Sequence, residues 1–174
     1  MELYEWGWIK KIPRIAVINA SGANTLYQLF NGVFGDEKLR WNDGMPNFES
    51  IDKFYNKMND DENLKPKTKA TAIQIGKPAN ITKGLRALDF TDGVVEEVTD
   101  TEMLDGMSVV GLNGFDCEMA SGASVAGIKK LRDKEIIKKD DKVVGILTGR
   151  QKEPLLPIDY HNNPANRFAR PPKD

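Results

Sequence analysis

Apolar residues along the chain fall into two periods, and their order alternates. Arg14 to Asn19 is a short β-branched run of the kind buried on both faces in a parallel sheet, which predicts a strand. Ala70 to Ile75 is a second apolar run, closed by Gly76-Lys77-Pro78, after which Asn80 can cap a helix that places Ile81, Leu85 and Leu88 on one face. Gly93 to Val98 predicts another strand. It leads into Thr99-Asp100-Thr101-Glu102, a capping box in which the first and last side chains each satisfy the other's backbone amide. Phe115 to Glu118 is a short candidate strand, and the small residues Ala120 to Ala126 open a helix carrying Val125, Ile128 and Leu131. Lys142 to Leu147 predicts a last apolar strand that delivers Thr148 and Gly149 at its carboxyl end, where ligands bind in open α/β sheets.

The remaining segments break this rhythm. Leu3, Trp6 and Ile9 are spaced like the last turns of an amphipathic helix stopped by Pro13, so the chain is expected to begin partway into a fold. Residues 34–69 are rich in Asp, Asn, Glu, Gly and Lys and predict a surface excursion with a helical patch around Ile51, Phe54, Tyr55 and Met58. Residues 153–174 hold Pro154, Pro157, Pro164, Pro171 and Pro172, which predicts a tail wrapping the domain with little regular structure. Residues 1–152 then form the body.

Composition narrows the function. The chain has 174 residues, 40% of them hydrophobic, enough for one ordinary core. Lys plus Arg total 25 against 26 Asp plus Glu, which offers no broad field for nucleic acid or an anionic membrane. A single cysteine, Cys117, permits no internal disulfide. No apolar run approaches the roughly 18 residues of a membrane span, and no secretory signal opens the chain, so the expected location is the cytoplasm.

Chemical candidates are few. Cys117 and the sole histidine, His161, could form a nucleophile and base, but a packed apolar cysteine and a surface histidine are the commoner reading. Nothing has metal-ligand spacing. Gly111-Leu112-Asn113-Gly114 and Ser121-Gly122-Ala123-Ser124 match no phosphate-loop fingerprint, and small residues of this kind more often mark close packing of a helix on a strand. Glu118 reads as a charge at a helix start rather than as a base. Thr148 alone reads as a strand residue with a capping hydroxyl.

Seven blocks nevertheless resemble the threonine synthases, and in the same order: Pro13–Ala20, Ala70–Pro78, Leu85–Leu88, Gly93–Glu96, Cys117–Gly127, Val143–Gly149 and Asn166–Pro172. The resemblance implies an α/β fold, a three-layer sandwich with a mostly parallel sheet, here the C-terminal part of the large domain of a fold-type II pyridoxal-phosphate enzyme. It implies conversion of O-phospho-L-homoserine and water to L-threonine and phosphate by γ-elimination and β-addition. Thr148 matches the position that faces the cofactor's ring nitrogen, where a hydroxyl without a full charge should leave that nitrogen largely unprotonated. Gly149 would let the backbone approach the ring.

The Schiff-base lysine and the phosphate loop belong to the family's N-terminal half. Neither is recognisable here, and Lys83, Lys129 and Lys130 lie in unrelated blocks. The expected partners are therefore the small-molecule substrate and the missing half, in cis or as a separate chain, with a homodimer possible and the isolated chain inactive. Arg150 stands where many members carry histidine. Two alternatives share the pattern: a threonine or serine dehydratase-like enzyme, and a non-catalytic interaction or regulatory domain.

Overall fold

The computed structural model describes residues 2–32 and 48–150. Its elements are helix α1 (Glu2–Glu5), strand β1 (Ala16–Ala20), helices α2 (Thr25–Asn31), α3 (Phe48–Asp60) and α4 (Ile81–Phe90), strand β2 (Val94–Val98), and helices α5 (Asp100–Leu112) and α6 (Met119–Asp133). The two strands form one sheet. Val94 N–H donates to the Ile15 carbonyl at 3.0 Å and Ser21 N–H to the Val98 carbonyl at 2.8 Å, so the numbering rises together on both strands and the pair is parallel. The chain is α/β.

Two compact units divide the described residues. The first comprises 1–17, 24–65 and 76–96. Its interior is a cluster of Leu29, Phe30, Ile51, Phe54, Met58, Ile81, Leu85, Leu88 and Val95. Ile81, Leu85 and Leu88 share one face of α4 because residues three and four apart lie above one another on a helix. Burying a leucine this fully contributes about 1.5–3 kcal/mol. Asn80 does occupy the N-cap of α4, but its side chain makes no capping hydrogen bond. The helical patch of the polar segment is α3, whose Ile51, Phe54 and Met58 are buried in this cluster while Glu49 and Lys53 pair at 2.8 Å on the exposed side. At the chain start the helix stops at Glu5, and Trp6 and Trp8 stand exposed, edge to face at 5.7 Å.

The second unit comprises 18–23, 66–75 and 97–174, the last described as far as Arg150. Its cluster is built from Ala20, Ala23, Ala70, Val98, Met103, Met107, Val110, Cys117, Met119, Ala123 and Ala126. The capping box of α5 forms as the sequence predicts: Glu102 N–H donates to Thr99 Oγ1 at 3.2 Å, and Thr99 N–H to Glu102 Oε2 at 2.6 Å. Helices α5 and α6 meet backbone to backbone. A Cβ on Gly106 would lie 2.3 Å from the Gly122 carbonyl oxygen, and one on Gly122 would lie 2.3 Å from that of Met103. Gly122 thus serves helix-to-helix packing, whereas the helix-on-strand contact expected of the small residues falls at Gly127, where a Cβ would meet Ile18 at 2.4 Å.

Three expected strands are absent among the described residues. Ala70 to Ile75 contains a 3₁₀ turn, Thr71–Ile73, while Phe115 to Glu118 and Lys142 to Leu147 have no regular structure. An apolar β-branched run is a strand only when a neighbour supplies its ladder, and nothing described pairs with these. Along 142–147 the side chains face solvent, Val144 at 86% and Ile146 at 68% exposure.

Candidate functional site

Thr148 and Gly149 are held by the first turn of α6. Ser121, one turn into the helix and 0% exposed, accepts the Thr148 N–H at 2.8 Å and the Gly149 N–H at 3.3 Å. Its hydroxyl also lies 3.1 Å from Thr148 Oγ1. Glu118, the N-cap residue, makes no side-chain capping bond, which leaves its carboxylate for another partner. That partner is Thr148, whose hydroxyl donates to Glu118 Oε1 at 2.8 Å. The Glu118 N–H in turn donates to the Gly149 carbonyl at 3.0 Å. The segment 142–147 is thereby anchored at its carboxyl end by one buried hydroxyl and one N-cap residue.

The same geometry explains the glycine. A Cβ on Gly149 would sit 2.8 Å from Glu118 Oε1, so any side chain there displaces the carboxylate from Thr148. Nearby, Asp116 and Arg150 approach to 3.7 Å on the surface, a screened pair of small energetic weight. Cys117 packs inward, and its thiol pKa is pushed up, first by burial and then by the charges of Asp116 and Glu118. A thiol so placed resists becoming a thiolate and is a poor nucleophile. His161, its candidate base, lies outside the described residues, as does the proline-rich tail.

The structure therefore brings together two residues singled out in the sequence, Thr148 and Gly149, with two weighed there and given no ligand-facing role, Ser121 and Glu118. Their partnership spans 27 to 30 positions of sequence. The one local signal for it was a serine followed by glycine and alanine at a helix start, where a small hydroxyl can be buried against another segment. Of the lysines considered earlier, Lys83 lies on α4 and Lys129 and Lys130 on α6, and Lys130 Nζ donates to the Glu97 carbonyl at 2.7 Å. No helix among the described residues is long and apolar enough to cross a membrane.

Residues 5–149 match the profile of a family described as pyridoxal-phosphate dependent enzyme. Threonine synthase of Methanocaldococcus jannaschii is 33% identical over 160 residues, covering 91% of this chain and 34% of its own length. Threonine synthase 2, chloroplastic, of Arabidopsis thaliana is 29% identical over 174 residues, covering 97% of this chain and 29% of its own. Threonine synthase of Methanosarcina acetivorans is 46% identical over 101 residues, covering 57% of this chain and 25% of its own. The chain spans between a quarter and about a third of the length of these relatives.

Proposed function

The chain belongs to the pyridoxal-phosphate dependent enzymes, and from that premise we propose that it is the C-terminal portion of a threonine synthase, acting on O-phospho-L-homoserine and water to give L-threonine and phosphate. One observation carries the choice within the family: relatives named threonine synthase align across 91% and 97% of this chain.

Pyridoxal phosphate, when bound, supplies an electron sink for carbanion chemistry, and the protein's part is to hold and orient it. The residues present fit one edge of that group. Thr148 offers an exposed hydroxyl at the end of an anchored segment, Gly149 adds no side chain, and Ser121 fixes the backbone of both through two N–H bonds. In this reading Thr148 holds the ring nitrogen and Gly149 lets the main chain lie against the ring. The lysine that carries the cofactor and the loop that binds its phosphate come from the N-terminal half, in cis or as a second chain, so that the isolated chain is inactive. The exposed run 142–147, apolar and without a strand partner among the described residues, is the kind of edge such a half would cover.

The test is trans-complementation with purified components. The full chain is purified with pyridoxal phosphate, alone and with the N-terminal remainder of the M. jannaschii enzyme, and phosphate release from O-phosphohomoserine is measured. Turnover only in the mixture supports the reading. Deamination of threonine or serine instead would assign the chain to a dehydratase, and a mixture that binds but never turns over would favour the interaction domain.

A further inference from the structure

The hydrogen bonds around Thr148 have a direction. A threonine hydroxyl carries one hydrogen and two lone pairs. Thr148 gives that hydrogen to Glu118 Oε1 at 2.8 Å, and an ionised carboxylate can only accept. The 3.1 Å contact with Ser121 must then run the other way, with Ser121 donating to Thr148 Oγ1. Ser121 is filled by this arrangement, since its oxygen already takes the N–H groups of Thr148 and Gly149. A polarised row results, from Ser121 through Thr148 to Glu118. What remains on Thr148 Oγ1 is a lone pair.

From this polarity, and resting on the cofactor reading above, we infer that Glu118 is a positioning residue: it claims the Thr148 hydrogen, makes Thr148 an acceptor toward the ring nitrogen of pyridoxal phosphate, and so raises that nitrogen's hold on its proton. A hydroxyl by itself would leave the nitrogen largely unprotonated, because it can donate as readily as accept. Glu118 removes the choice. Its negative charge works in the same direction, favouring a protonated and positively charged ring nitrogen. Asp116 and Arg150, the charged residues next along the chain, carry opposite signs 3.7 Å apart and so offset one another. The buried Cys117 thiol adds no charge.

The experiment uses the full chain mixed with the N-terminal remainder of the M. jannaschii enzyme, and 4-deoxypyridoxine 5'-phosphate labelled with ¹⁵N in the ring. This probe lacks the carbonyl and cannot react with surface lysines. Its ¹⁵N shift, followed against pH in millimolar excess, reports the protonation of the ring nitrogen. In Glu118→Gln the ring pKa on the protein is expected to fall by about one pH unit or more relative to the unsubstituted chain. Hydrogen exchange at the Thr148 and Gly149 amides stays slow in that variant, because Ser121 still holds them. In Thr148→Val, binding weakens and Glu118→Gln no longer alters the ring. An unchanged ring pKa in Glu118→Gln, together with weaker binding in Thr148→Val, overturns the role of Glu118 and leaves the cofactor reading standing. Failure of the mixture of the two halves to bind the probe, or equal binding by the mixture carrying Thr148→Val, removes the cofactor site at Thr148 and the inference with it.

Discussion

The first unit fills its interior with large side chains, Leu29, Phe30, Ile51, Phe54, Leu85 and Leu88 among them, whereas the second relies on Ala20, Ala23, Ala70, Ala123 and Ala126 and on glycines where backbones touch. The two strategies fail in opposite ways. A core of large residues is vulnerable to deletion, because removed atoms leave a cavity that the surroundings close only in part. A core of small residues is vulnerable to addition, because close-packed backbone cannot retreat. It is the second kind that carries Thr148 and its partners. Ser121 is buried one residue before Gly122, so the geometry of the candidate site depends on how closely α5 and α6 approach.

The largest effect should come from reversing the rule in the second unit. Gly122→Leu drives side-chain atoms into the Met103 carbonyl and Met107, and a loss of about 3 kcal/mol or more is expected in urea titration, with the Thr148 and Gly149 amides exchanging faster. If the helices absorb the leucine without cost, the contrast between the units is wrong. Next comes Leu85→Ala in the first unit, where the side chain is 0% exposed: about 3 kcal/mol should be lost, while Thr148 and Gly149 exchange is unchanged. The smallest effect is the loss of a cap. Thr99→Ala removes a hydroxyl that receives the Glu102 N–H and should cost about 1 kcal/mol, seen as a modest fall in the urea midpoint with the slope preserved.

How far the sequence disclosed this architecture depends on whether a feature is local. The capping box at Thr99 and Glu102, the buried face of α4 and the strands at 16–20 and 94–98 were legible, because each is specified within a few consecutive residues. Lys142 to Leu147 was not, since its apolar pattern fits a buried strand and an exposed extended segment equally, and the deciding factor is a neighbour elsewhere in space. Ala70 to Ile75 has the same ambiguity, settled by a 3₁₀ turn. At the candidate site the family resemblance brought out Thr148 and Gly149. The roles of Ser121 and Glu118 were hidden because a buried serine and an N-cap glutamate look alike in sequence whether they serve their own helix or a segment 27 or 30 positions away.

One contact sets a rule for how the chain tolerates change in length. Lys67 N–H donates to the Gly22 carbonyl at 2.6 Å, and Gly22 has no room for a side chain, a Cβ there falling 1.9 Å from the Lys67 carbonyl oxygen. The 44 residues between them are thus bracketed by one close backbone contact. Closing such a loop grows costlier only with the logarithm of its length, about 0.6 kcal/mol per doubling. A change in length between Gly22 and Lys67 therefore costs little in chain entropy, and what limits it is the need to keep Leu29, Phe30, Ile51, Phe54 and Met58 in the first unit's core.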